Sequence, residues 1–376
     1  MSSASLFTGG PGQGATARPG GTKVTGPRGP IARPAAELSR FPDVRRARGA
    51  QWNGREVAVG LDETTFATTA HPPDAVAFEA ETARIVRETP WPPASAAQFR
   101  VLARELLIAR APGGEFYRSP HATDLAIPVG SGTMAARVFR STTPTGLFVH
   151  LHGGGWTVGA ADEQDGYLED LVRGTGQTVV SLDYPLAPER PYPGQLDDCE
   201  AAVRWLLGHP GEFGVNAVTC GGESSGANLA LAVALRLRDR PAERPLRALN
   251  LCYGPYDLTL TPSARAWGER GGVLTTERIR WYTEQYVPDP ARRADPDVSP
   301  LYAELPGLPP ILLTVGTEDP LRDDTLFLYA RLLAARTPVK LLVVPGAGHV
   351  FNLVPLSLTW PANAHAHRFL AAALAG

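Results

Sequence analysis

The sequence predicts an α/β architecture with a mainly parallel sheet covered by helices on both faces. Three observations predict it. Short apolar runs of strand type alternate along the chain with helical patterns, turns rich in glycine or acid follow several of those runs, and 43% of the 376 residues are hydrophobic, enough to bury a sizeable core. The length suits one large domain or two ordinary ones.

Taken in order, residues 1–34 are rich in Gly, Pro, Ser and Thr with scattered Arg and no apolar stretch. They read as a disordered tail rather than a secretory signal. No acid occurs before Glu37, which also fits a processed segment. From about 75 to 111 the pattern turns helical, with Val76, Phe78, Ile85 and Val86 in one run and Phe99, Val101, Leu102, Leu106 and Leu107 in the next. Pro90-Trp-Pro-Pro93 separates the two. Strand runs then fall at 146–150, 178–182, 217–220, 248–253, 311–315 and 340–344. Helices are expected near 162–173, 195–207, 225–238, 324–335 and 362–373, with a further one over Thr275 to Val287 that carries Trp281, Tyr282 and Tyr286.

Four of the strand runs end in residues suited to chemistry. The run at 146–150 leads into His152 and three consecutive glycines, Gly153, Gly154 and Gly155. Such a run loses much backbone entropy on folding, so it suggests bare N–H groups that must approach something closely, as the donors of an oxyanion hole do. The run at 217–220 leads into Gly222-Glu-Ser-Ser-Gly226, a G-x-S-x-G turn opening directly into an apolar helix. In that context the turn exposes the hydroxyl of Ser224 as a nucleophile, with the N–H of Ser225 beside it. Alone, the pentapeptide also fits an ordinary strand-turn-helix corner.

The run at 311–315 ends in Thr-Glu-Asp-Pro, with Asp319 just ahead of Pro320. Asp319 is the candidate acid over Glu318, Asp323 and Asp324, the last two being expected on the solvated first turn of the next helix. The run at 340–344 leads into Pro-Gly-Ala-Gly and His349. Of the eight histidines, only His349 stands on a loop after a late strand; His365 and His367 fall in the C-terminal helix, where a surface role is expected. The order Ser224, Asp319, His349 is that of an α/β-hydrolase triad.

With these motifs the chain resembles the hormone-sensitive-lipase-like family of α/β-hydrolase esterases from about residue 75 to the end. Further marks are Asp183-Tyr-Pro-Leu-Ala-Pro-Glu189, Asp295-Pro-Asp-Val-Ser-Pro-Leu301 and Gly307-Leu-Pro-Pro310. Departures are Glu223 where Asp or Thr is commoner, Ser225 for Ala, Ala227 for Gly, Pro185 for Arg, and Val350 where Gly is frequent.

The resemblance implies the α/β-hydrolase fold with a helical cap, divided into a Gly/Pro-rich tail (1–50), N-terminal cap helices (51–118), a first part of the core (119–256), a cap insertion (257–305) and a second part of the core (306–376). The alternative for the helices is a domain packed elsewhere. The implied function is a serine carboxylesterase for short- to medium-chain esters, with Ser224, Asp319 and His349 as catalytic residues and Gly153, Gly154, Gly155 and Ser225 forming the oxyanion hole. Trp156, Glu223 and Val350 would face the substrate. Glu223 itself reads first as holding the loop beneath the nucleophile through hydrogen bonds, with a contribution to substrate polarity as the alternative, while Asp183, Tyr184 and Glu189 read as structural. Neither a metal nor a cofactor is expected.

Three other classes compete: an acyltransferase or deacetylase using the same triad, a non-enzymatic small-molecule receptor, and a prolyl-oligopeptidase-type peptidase. His349 speaks against the receptor, since such members typically lose it. The His-Gly-Gly-Gly loop and the short N-terminal region speak against the peptidase.

With 36 basic and 38 acidic residues the net charge is −2, which gives no argument for a nucleic acid or an anionic membrane as partner. No run of eighteen uncharged apolar residues occurs, so no membrane span is expected. Cys199, Cys220 and Cys252 lie in apolar elements and read as free core thiols, which fits the cytoplasm. Self-association as a homodimer is what the family resemblance implies.

Overall fold

The structure, a computed structural model, describes residue 66, residues 71–110 and residues 117–375. The expected tail at 1–50 lies outside the described residues.

Eight strands form one sheet: β1 (Ala122–Val129), β2 (Gly132–Phe139), β3 (Leu147–Leu151), β4 (Thr178–Asp183), β5 (Val218–Glu223), β6 (Leu249–Cys252), β7 (Ile311–Glu318) and β8 (Val339–Gly348). Their order is β1-β2-β4-β3-β5-β6-β7-β8. The six strands from β3 onward run parallel, and β1 and β2 add an antiparallel edge.

Side-chain alternation splits the sheet between two helical layers. Phe148 and Val179 pack with Leu168 and Leu171 of α3 (Asp165–Thr175) and with Leu370 of the C-terminal helix. Leu147, Val149, Leu151, Val180 and Leu182 point the other way, into the main core. That core is filled by α4 (Gly194–Gly208) and α5 (Ser225–Asp239), of which α5 buries twelve of its fifteen residues.

The remaining helices are α1 (Pro73–Glu88), α2 (Ala96–Arg110), α6 (Pro262–Ala266), α7 (Thr276–Tyr286), α8 (Arg322–Ala334) and α9 (Thr359–Leu374). The turn between α1 and α2 packs on α7 through rings: Trp91 lies 5.2 Å from Trp281 and 5.4 Å from Phe99, and Phe99 lies 5.7 Å from Trp281. Arg100 of α2 donates to Thr157 O and Ala187 O and pairs with both oxygens of Glu189. Asp74 of α1 accepts from the N–H and hydroxyl of Ser357. Among the described residues no helix is long and apolar enough to cross a membrane.

Two expectations are corrected. Asp324 is not on a solvated turn: it is 1% exposed and accepts from the amides of Tyr256 and Asp257 and from the Thr261 hydroxyl, tying the chain after β6 to α8. His367 is buried rather than on the surface, because α9 lies against α3 and a Cβ at Gly174 would strike its ring.

The tightest backbone packing lies where β5 meets α5. A Cβ at Gly222 or at Gly226 would collide with the carbonyl oxygen of Leu151 at the end of β3. Gly222→Ala should therefore lower stability by about 3 kcal/mol in urea unfolding, since backbone rather than a flexible side chain must give way. A loss below about 1 kcal/mol would contradict this packing.

Candidate active site

Each chemically equipped turn follows the carboxyl end of a parallel strand, so residues far apart in sequence converge on one edge of the sheet. Ser224 follows β5, Asp319 follows β7 and His349 follows β8. Ser224 has φ 53° and ψ −124°, a strained conformation for a residue with a side chain. It is held there by its N–H donating to Cys252 O at 2.9 Å and by its carbonyl accepting from the first turn of α5.

The Ser224 hydroxyl lies 3.0 Å from His349 Nε2, and His349 Nδ1 lies 2.8 Å from Asp319 Oδ2. Asp319 is fully buried, and its other oxygen accepts the Leu321 N–H at 2.8 Å, so the carboxylate is fixed at both ends. The Tyr253 ring packs 4.6 Å from the imidazole, and its hydroxyl reaches Asn352. Of the rival acids, Glu318 is exposed, Asp323 accepts the Ser263 N–H, and Asp324 is committed to the loop after β6.

The glycine run borders the serine: a Cβ at Gly153 would lie 3.4 Å from that of Ser224. Gly154 and Gly155 have φ of 129° and 56°, and the Gly154 carbonyl accepts from Thr157 and Val158, which closes the loop. Among the described residues the N–H groups of Gly153, Gly154, Gly155 and Ser225 have no acceptor. Ser225 is fully buried and the three glycines are half-buried, so their unpaired N–H groups beside the nucleophile are free to serve a bound oxygen.

His152 sets the base of this loop. Its ring stacks 4.2 Å from Tyr184, whose hydroxyl donates to His152 O, and its Nδ1 donates to Gly153 O at 2.7 Å. Beneath the nucleophile, Glu223 is 1% exposed; its Oε2 lies 2.9 Å from His150 Nε2, and His150 Nδ1 lies 2.9 Å from Ser181 Oγ. This buried chain joins β5, β3 and β4 directly below the serine.

A cavity of about 270 Å³ opens over Ser224 and His349. Trp156, Glu223 and Val350 all line it, as do Phe99, Ile279 and Tyr282 from the helices above. Trp156 is held by stacking on Tyr286 at 4.7 Å. The sequence reading missed Tyr253, Asn352 and the His150–Glu223 contact. A signal existed only for the last, as two polar residues inside otherwise apolar strand ends.

Residues 148–353 match a family described as having the alpha/beta hydrolase fold. The chain is 38% identical over 245 residues to the carboxylic ester hydrolase LipN of Mycobacterium tuberculosis, covering 62% of this chain and 65% of that relative's length. It is 32% identical over 276 residues to the acetyl esterase of Salmonella schwarzengrund, covering 70% of this chain and 82% of that relative. Among solved structures, the Pyrobaculum calidifontis esterase matches with a TM-score of 0.72 at 25% identity, over 81% of this chain and all but 1% of that one, its coverage being 99%. Carboxyl esterase 2 of Tuber melanosporum matches with a TM-score of 0.65 at 28% identity, over 69% of this chain and 89% of that one. The chain belongs to this α/β-hydrolase family, the hormone-sensitive-lipase-like esterases.

Two buried groups give the fold opposing pH dependences. Burial pushes His152 down to about 4 from 6.5, so the stability of its neutral form is whole above about pH 6.5 and is lost as pH falls through about 4. Burial pushes Asp324 up to about 7 from 3.8, so its contribution is whole below about pH 4 and is lost as pH rises through about 7. Relative to the unmodified protein, Asp324→Asn should make stability climb more steeply between these limits, and His152→Asn less steeply. Unfolding measured across that range checks both; parallel curves for all three proteins would contradict the assignment.

Proposed function

We propose that the protein is a serine carboxylesterase that hydrolyses short- to medium-chain carboxylic esters of small molecules through an acyl-enzyme on Ser224. The observation that carries this reading is the continuous run of hydrogen bonds from Asp319 through His349 to Ser224 beside four free amides.

The chemistry follows from those contacts. His349 Nε2 takes the Ser224 proton as the oxygen attacks the ester carbonyl, and Asp319 holds Nδ1–H, which fixes the tautomer and stabilises the imidazolium. The carbonyl oxygen gains negative charge and is met by the N–H groups of Gly154, Gly155 and Ser225, with Gly153 at the edge. Collapse breaks the bond to the alcohol, which leaves with the proton from Nε2. Water then repeats the sequence on the acyl-enzyme and releases the acid.

In this reading α1, α2 and the segment holding α6 and α7 form a cap over the cavity, and Trp156, Val350 and Tyr282 bound the substrate. A cavity of about 270 Å³ suits short and medium chains. The reading extends to a cytoplasmic homodimer: three buried free thiols support the compartment, and the resemblance to the family supports the dimer.

Ser224→Ala should lower kcat on 4-nitrophenyl butyrate by about six orders of magnitude with the fold intact, and Asp319→Asn by about four. Most activity surviving in Ser224→Ala would end the assignment; loss in Asp323→Asn instead of Asp319→Asn would move the acid. Tyr282→Ala should shift the preferred acyl chain to longer esters, measured as kcat/KM over a chain-length series. An unchanged optimum would argue against α7 as a wall of the acyl site.

A further inference from the structure

Among the described residues two arginines are buried, Arg137 and Arg278, and only the first is paired with a carboxylate. Arg137, 6% exposed, is clasped by both oxygens of Asp165, and the partly buried Arg236 is held by Asp297, Asp197 and Glu200. Arg278, 7% exposed, has no ion pair among the described residues. Its guanidinium lies over Trp91 at 4.4 Å and makes one long hydrogen bond, from Nη2 to Val86 O at 3.3 Å. Where other arginines of the chain are pushed up by a carboxylate neighbour, burial pushes Arg278 down. A desolvated cation held mainly by stacking retains donors for an anion.

The side chain borders the catalytic cavity. On its other side is an outer crevice shared with Arg87 and with Glu88, Glu269 and Glu277, three carboxylates against one further cation, which disfavours an anion arriving from that direction. Access for an anion is therefore from the cavity. Arg278 lies one helical turn before Tyr282 on α7, about 6 Å along the axis. The Tyr282 ring in turn sits against Gly155, where a Cβ would collide with it. A group reaching Arg278 is thus about one turn of helix beyond the free amides.

We propose that Arg278 is a specificity residue that receives a carboxylate carried by the substrate, so that the preferred substrates are esters bearing a carboxylate several atoms from the ester carbonyl. A single negative charge fits better than a dianion, because Asp257 and Glu223 also line the cavity. Both are already engaged, Asp257 by Thr259 and the Tyr302 hydroxyl and Glu223 by His150, so neither neutralises Arg278. This inference rests on the esterase reading for the chemistry, but the charge selectivity is readable without turnover.

The test is binding to the full-length Ser224→Ala protein by calorimetry. One series has the carboxylate on the acyl side, as monomethyl esters of linear dicarboxylic acids; the other has it on the alcohol side, as O-acetyl ω-hydroxy acids. Each is compared with the uncharged ester of equal length. At an intermediate length in one series the charged ester should bind at least about tenfold more tightly than its comparator. That ratio should fall to near one in Ser224→Ala/Arg278→Gln and be partly restored by Lys at 278. Loss of packing alone would weaken both esters and leave the ratio unmoved, which overturns the proposal. So does a ratio near one at every length in both series, a result that needs only the Ser224→Ala protein. Charge-selective binding alongside no hydrolysis of any ester by the unmodified protein would sink the esterase reading while supporting the Arg278 site.

Discussion

The structure depends on the crowding of two backbones where β5 turns into α5 against the end of β3. Gly222 and Gly226 both lie so close to the Leu151 carbonyl that no side chain fits at either position. That approach forces the serine between them into a conformation with φ 53°, and it seats the glycine run after β3 directly beside the serine. The position of the hydroxyl and the position of the free amides are therefore one constraint. A shift of β5 relative to β3 would move the two apart together with the parallel register that links Leu147 to Val218 and Leu151 to Gly222.

The surrounding polar groups keep that arrangement rigid rather than taking part in it. Glu223, His150 and Ser181 form a buried chain across three neighbouring strands below the nucleophile. Tyr184 and His152 brace the glycine loop from the side, and Tyr253 packs on the imidazole of His349. Each of these polar atoms is desolvated, so a partly broken network would cost more than an apolar one. The cavity over Ser224 then has a fixed floor, and the proposed selectivity rests on the helices that line its other side, where Tyr282 and Arg278 stand one turn apart on α7.

Much of this was legible because the chemistry sits at strand ends, where apolar runs give way abruptly to glycine, acid or histidine. The six parallel strands were located to within a few residues, and Ser224, Asp319 and His349, singled out by motif and chain order, lie within hydrogen-bond distance of one another. β1 and β2 were missed: they form an edge hairpin whose residues are half exposed, so no continuous apolar run marks them. The burial of Asp324 was missed for a different reason. An acid in the first turn of a helix ordinarily faces water, and only the loop after β6 folding back onto α8 reverses that. Arg278 and Tyr253 carry no local signal, because their importance comes from what tertiary packing leaves unpaired or sets against the imidazole.

The central claim is that one serine, activated by one histidine, is the nucleophile of this molecule. Mass-spectrometric mapping of the adduct formed with a fluorophosphonate tests it most directly. The account predicts a single modified peptide containing Ser224 in the unmodified protein and a large loss of labelling rate in His349→Ala. An adduct on any other residue, or equal labelling rates in the two proteins, would contradict it.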